Sequence, residues 1–189
     1  MSKSSVLEIP EPKVSSLIFA DTRFALIWLL LRVYVGWEWF SAGLEKVQNP
    51  AWVGKGAGTA LSGFLAGALA KSSGAHPDVQ SWYATFLQQF VLHNTVLFSY
   101  IISFGELFVG IALILGLFTG ISAFFGAYMN MNYLLAGTIS TNPILFAFEL
   151  LLILGWRVAG WYGLDRFVLP EVGTPWSKGI LFKKRKRHG

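Results

Sequence analysis

Residues 101–121 read IISFGELFVGIALILGLFTGI, an apolar stretch interrupted by a single carboxylate, Glu106. In the hydrocarbon of a bilayer an ionised glutamate is costly, so it takes a proton, a partner or a water-filled cavity. A helix needs roughly 20 largely apolar residues to cross that layer. By that measure the chain holds four candidate spans, about 23–43, 95–117, 120–138 and 143–163, and the quoted stretch runs through the second into the third. Composition agrees: 54% of the residues are hydrophobic and only 13% charged, about half the charged share of soluble domains. The expected fold is all-α, a polytopic membrane protein built as a four-transmembrane-helix bundle. The first span is too long, too aromatic and too rich in internal charge for the core of a cleaved signal peptide, so it belongs to the mature chain.

Around the membrane domain, 23–168, lie an N-terminal arm, 1–22, read as irregular because of Pro10 and Pro12, and a tail, 169–189, ending in KKRKRHG. Four crossings put both termini on one side. Lys183, Lys184, Arg185, Lys186 and Arg187, with Lys3, Lys13 and Arg23, mark that side as cytoplasmic by the positive-inside rule. Beside a span, such a run reads as an orientation signal and a contact for anionic lipid, with no nucleic-acid partner. The one long connection, 44–94, then lies outside. Its stretches AWVGKGAGTALSGFLAGALA and SWYATFLQQFVLH are too short to span comfortably and read as short interfacial or re-entrant helices. Ala112, Gly116 and Gly120 form a small-residue ladder that lets a neighbouring backbone approach. Pro143 suits the first turn of the last span.

The chain has no cysteine, and its histidines, His76, His93 and His188, all fall outside the spans. Disulfides, thiolate-held clusters and a facing histidine pair for haem are excluded, and no metal site is expected. At about 1.5 Å per residue, Arg32 and Glu106 both come roughly 14 Å above the cytoplasmic edge, a height at which they can pair. Glu38 and Glu149 come roughly 20 Å up, with Asn130 and Asn132 at or just below that level. One arginine cannot neutralise three carboxylates, so Glu38, Glu106 and Glu149 include a candidate proton carrier. The bland alternative is a polar network that only locks the bundle. Trp37, Trp39, Trp52, Trp82 and Tyr83 read as an outer interfacial belt, a cluster that also suits a flat ring such as a quinone head. Lys46, Lys55 and Lys71 are loop charges that an anion arriving from outside meets first.

Three runs, RVYVGWEWFSAGLEKV, GELFVGIALILGLFTGISA and WRVAGWYGLDRF, together resemble the DoxX/DoxD family of small four-helix membrane proteins. The resemblance covers most of residues 23–168. Its DoxD branch implies the membrane subunit of a thiosulfate:quinone oxidoreductase, which joins two thiosulfates as tetrathionate and passes two electrons to membrane quinone. Glu45 and Lys46 match the family's Gly-Leu-Glu-Lys exit from the first span, Glu106 the glutamate before the glycine-rich segment, and Asp165 and Arg166 its Leu-Asp-Arg motif.

In that setting Glu106, Arg32, Glu38 and Glu149 are the catalytic candidates, the glutamates relaying protons and Arg32 holding charge that develops on the quinone head. Asn130, Asn132 and Trp39 are the quinone-binding candidates, and Lys46 and Lys55 attract thiosulfate. Membrane quinone is the co-substrate, and no cofactor is covalently held. A second subunit or soluble oxidoreductase is the expected partner, beside the lipid bilayer and a possible homo-oligomer, in the plasma membrane of a prokaryote. Asp165 and Arg166 read as a helix-end ion pair. One rival is a non-catalytic anchor or scaffold for a redox complex. The other is a small transporter, which the absence of internal repeats disfavours.

Overall fold

The computed structural model describes residues 12–174 and 177–182; Lys3 and the basic run 183–187 lie outside the described residues. Its helices are α1 (Lys13–Ala20), α2 (Ala25–Gln48), α3 (Thr59–Ala70), α4 (Ser81–Phe86), α5 (Thr95–Leu115), α6 (Thr119–Leu135), α7 (Asn142–Leu154), α8 (Trp156–Ala159) and α9 (Asp165–Val172). A two-stranded antiparallel ribbon of β1 (Gly173–Thr174) and β2 (Ser177–Lys178) follows α9. The part of the arm expected to be irregular holds α1, which is tied to the bundle where Trp28 Nε1 donates to the Ile18 carbonyl at 2.9 Å.

Four helices pack side by side, α2 against α5 and α7, and α6 against α5 and α7. The tightest seam is α2 on α5. A Cβ on Gly43 would sit 2.3 Å from Leu107 N, one on Gly110 2.3 Å from Phe40 N, and one on Gly36 2.9 Å from Ile114 N. Only glycine permits so close an approach, the usual device for joining helices that lipid solvates as well as their neighbours do. The three contacts fix an antiparallel register, with Gly43 level with Leu107 and Gly36 level with Ile114. Gly116 and Gly120, expected in such a seam, act elsewhere. Gly116 ends α5 in the left-handed conformation with φ 66°, and Gly120 packs on Trp156.

By length and composition, two helical runs suffice to cross a membrane, Thr22–Gln48 and Ser81–Leu115. In the second, α4 passes through a π-helical turn (Leu87–Val91) and a 3-10 turn (Leu92–Asn94) into α5 without a break. The segment expected to lie as a separate interfacial helix is therefore an extension of the next span. At 17 and 13 residues, α6 and α7 are shorter. The last span, expected to reach 163, stops at Gly155, where the Trp28 indole fills the space a side chain would need, 2.8 Å from the Cβ position.

Leu26, Ile27, Leu30, Trp37, Phe108, Phe124 and Leu154 are each more than half exposed. A continuous apolar exterior of this kind belongs against lipid or a partner. Inside, Ala25, Trp28, Val35, Trp39, Leu113 and Leu152 make the bundle core. A second core of Leu61, Leu65, Val79, Tyr83, Leu87, Val91 and Ala136 joins α3 and α4 to the bundle end. Lys71, read as solvated, fastens this layer by donating to the Gly137 carbonyl at 2.7 Å.

Candidate functional site

The close approach at Gly43 brings Glu106 down beside the last turn of α2. There Lys46 Nζ meets the Glu106 carboxylate at 2.6 Å, and the Tyr133 hydroxyl donates to its other oxygen. The Tyr133 ring stacks on Trp39, with centroids 6.4 Å apart and planes at 27°. Trp39 Nε1 in turn donates to Glu149 Oε1 at 2.5 Å, while Asn130 Nδ2 donates to Glu149 Oε2 at 2.8 Å. Two fully buried carboxylates, from α5 and α7, are thus each bonded to one member of a stacked aromatic pair. Gly126 makes room for the second, since a Cβ there would lie 2.6 Å from Glu149 Oε1.

Beside this chain of contacts lies a chamber of about 290 Å³, lined by Glu38, Trp39, Lys46, Trp52, Glu106, Asn130 and Tyr133 and by the α6–α7 turn. Lys46 Nζ also sits over the Trp52 ring, 5.3 Å from its centroid. Asn130 Oδ1 is buried without a hydrogen-bond partner, an acceptor open to a donor. A low-dielectric pocket that holds carboxylates, one ammonium and an open acceptor can store protons and respond strongly to any charge that enters.

The other buried charges lie at the opposite end. Arg32 Nη2 donates to the Tyr162 carbonyl at 3.1 Å, and the guanidinium occupies the space beside Gly116 and Gly163. Asp165 accepts from Phe118 N at 2.5 Å and from Thr119 N at 2.8 Å. Phe118 precedes α6 in the left-handed conformation with φ 48°. Asp165 therefore caps α6 from a distant part of the chain, satisfying amides that a helix start leaves open. A cavity of about 660 Å³ also lies at this end, but its walls are mainly apolar and Asp165 is the single carboxylate among its described lining residues. With both oxygens of that carboxylate bound to backbone, no free acid or base stands among the described lining residues.

Several expectations are corrected by this geometry. Arg32 and Glu106 do not pair. The glycine register sets Arg32 level with the α5–α6 turn, roughly 18 Å along α2 from the level of Glu106, because α5 ends at Leu115, level with Val35, whereas α2 begins a further ten residues down at Ala25. Lys46 takes Arg32's expected place and is no free attractor for anions. Asp165 and Arg166 form no helix-end pair, since Arg166 stacks on Trp161 at 4.8 Å. Asn130 and Asn132 diverge: Asn132 is absent from the chamber lining, donating to the Tyr128 carbonyl and accepting from the Tyr83 hydroxyl. Lys55 is exposed and also absent from the lining, whereas half-buried Glu38 lines it. Tyr133 escaped the sequence reading. Its signal was the helical spacing of Gly126, Asn130 and Tyr133, which puts all three on one face of α6.

The family model described as TQO small subunit DoxD matches residues 27–185. The chain belongs to the DoxD family. No curated protein and no solved structure matches it. The matched range includes every residue of the chamber, so the carboxylate cluster sits inside the DoxD segment. With its apolar exterior and its small-subunit family, this DoxD chain is a membrane protein and a subunit of a larger assembly.

Proposed function

We propose that the chain is the membrane subunit of a quinone-linked oxidoreductase in which thiosulfate is oxidised to tetrathionate and membrane quinone is reduced. In this reading α2, α5, α6 and the α7–α8 segment cross a prokaryotic plasma membrane with both termini cytoplasmic, and a second subunit completes the enzyme. The observation that carries it is the pair Glu106 and Glu149, held on either side of the Trp39–Tyr133 stack and beside a chamber containing Lys46. Two thiosulfates release two electrons as the S–S bond of tetrathionate forms, and the quinone takes up those electrons with two protons. Glu106 and Glu149 are placed to hold those protons.

A proton on Glu106 also leaves Lys46 without its counterion. The ammonium then becomes the anion-binding group of the chamber, so entry of a dianion is tied to proton uptake. Glu38, at the chamber wall, is the third group able to exchange protons. Arg32 drops out of the mechanism, engaged at the far end.

The test is thiosulfate-dependent reduction of a soluble quinone by the purified chain, alone and with membrane extract. Activity in either arm that Glu106→Gln abolishes supports the reading; undiminished activity in that variant makes the cluster structural. A second reading, the non-catalytic anchor, draws on the mutual satisfaction of Lys46 with Glu106 and of Glu149 with Trp39 and Asn130, as in a static lock. It expects no turnover in either arm and co-purification with a soluble oxidoreductase.

A further inference from the structure

A second cavity of about 150 Å³ adjoins the chamber, with Leu65, Tyr83, Phe86, Leu87, Phe98 and Ile102 among its walls. Leu61 and Tyr133 line both spaces, so the tyrosine whose hydroxyl holds Glu106 is also the partition. No lysine or arginine lines this second cavity. Ile101 and Tyr128, also in its wall, are each more than half exposed on the apolar exterior, which places an opening toward lipid between the α4–α5 run and α6. Leu87 and Val91 come from the π-helical turn, a rare geometry concentrated at functional positions. Among its polar groups is the Tyr83 hydroxyl, at 3.1 Å from both the backbone and the side-chain oxygen of Asn132. A proton shared between two acceptors at that distance can turn to a third.

We propose that this apolar cavity is the quinone-ring site, entered sideways from the bilayer, with the Tyr83 hydroxyl serving a ring oxygen and the Tyr133 ring separating quinone from the polar chamber. The proposal rests on the quinone-linked reading above and gives its two substrates separate compartments. The size suits one ring, since apolar cavities of roughly 150 Å³ bind benzene. The aromatic walls suit a flat one. A thiosulfate dianion entering here would lose its hydration with no cation to replace it, and a lipid chain offers the Tyr83 hydroxyl no further acceptor. The quinone's tail leaves through the lateral opening into lipid.

The test is photolabelling of the full-length chain in lipid–detergent micelles with an azido-substituted short-chain benzoquinone, mapped by mass spectrometry with and without excess unlabelled benzoquinone. The expected result is competed label on Tyr83, Phe86, Phe98, Ile102 or Met129. Leu65→Trp, which fills the cavity, removes it. Tyr83→Phe, which keeps the fold by retaining the ring, weakens competition about fivefold, the effect of one hydrogen bond. Competed label confined to Trp39, Trp52 or residues 138–145 overturns the apolar site while leaving the quinone-linked reading in place. Label that phospholipid displaces as well as benzoquinone does makes the cavity a lipid site and overturns the proposal. Absence of competed label anywhere overturns both readings.

Discussion

At the α3 end of the bundle half-buried Lys46 meets buried Glu106 directly and the pair faces a chamber; at the other end Arg32 and Asp165 are buried, with Arg32 donating to backbone through Nη2 alone and Asp165 giving both oxygens to backbone amides. The two carboxylates, Glu106 at 1% and Asp165 at 4% exposed, are buried alike, so depth alone does not separate a site from a scaffold. What separates them is what the charged atoms face. Both Asp165 oxygens receive amides of the α5–α6 turn, which leaves no position for a ligand. The Glu106 oxygens receive two side chains that can move, beside open space that a ligand can fill.

The comparison breaks most visibly at Asp165. Asp165→Ala leaves two buried amides without acceptors and Arg32 without its nearby negative charge, a loss of about 3–5 kcal/mol. Thermal melting in detergent is expected to fall by roughly 10 °C, with activity per folded molecule unchanged; an unshifted melt would show the latch to be idle. Glu106→Gln is expected to invert that pattern, with quinone reduction down about 100-fold or more and melting displaced less than by Asp165→Ala. Equal effects of the two variants on specific activity would erase the distinction between the ends.

Gly43→Ala tests whether the seam sets the chamber's register. Its Cβ meets Leu107 N at 2.3 Å, so overpacking is expected to cost about 1–3 kcal/mol. Gly63→Ala, with nothing within 4 Å of its Cβ, is expected to change sign and stabilise by about 0.5–1 kcal/mol through helix propensity. The same pair of melts reads both outcomes. The smallest effect belongs to exposed Lys55. Lys55→Ala is expected to leave thiosulfate-dependent activity within about twofold at 0.15 M salt, where a solvated charge is screened beyond roughly 8 Å; a large loss would return this lysine to the site.

The helices were legible because α2 and α5 are long apolar runs and because Pro143 and the turn before it mark where α7 begins. Hydropathy read through Gly155, where α7 stops and the Trp28 indole of another helix packs on the bare backbone. The polar residues stood out as carboxylates and amides in apolar surroundings, but their partners did not. Matching depths from span edges failed because the inner ends of the two helices are not level: α5 stops at Leu115, beside Val35, and α2 starts ten residues lower at Ala25. Gly36, Gly43 and Gly110 carried the correct register, yet glycines that make a seam and glycines that end helices, such as Gly116, look alike until the helices are paired. Tyr133 was hidden among many aromatics, and Asp165 was read against its sequence neighbour when its partners lie 46 and 47 positions away.

The bare backbone at Gly126, pressed against Glu149, ties two distant positions into one unit of inheritance. An acid at 149 held against Trp39 favours glycine at 126, because a methyl group there would lie 2.6 Å from Glu149 Oε1 and push the carboxylate out of this position. Once the acid is lost, that preference disappears and position 126 is free to gain a side chain. In a set of DoxD sequences the two positions are therefore expected to change together. Glycine at 126 then becomes a mark, readable without any structure, of the members that retain the second buried carboxylate.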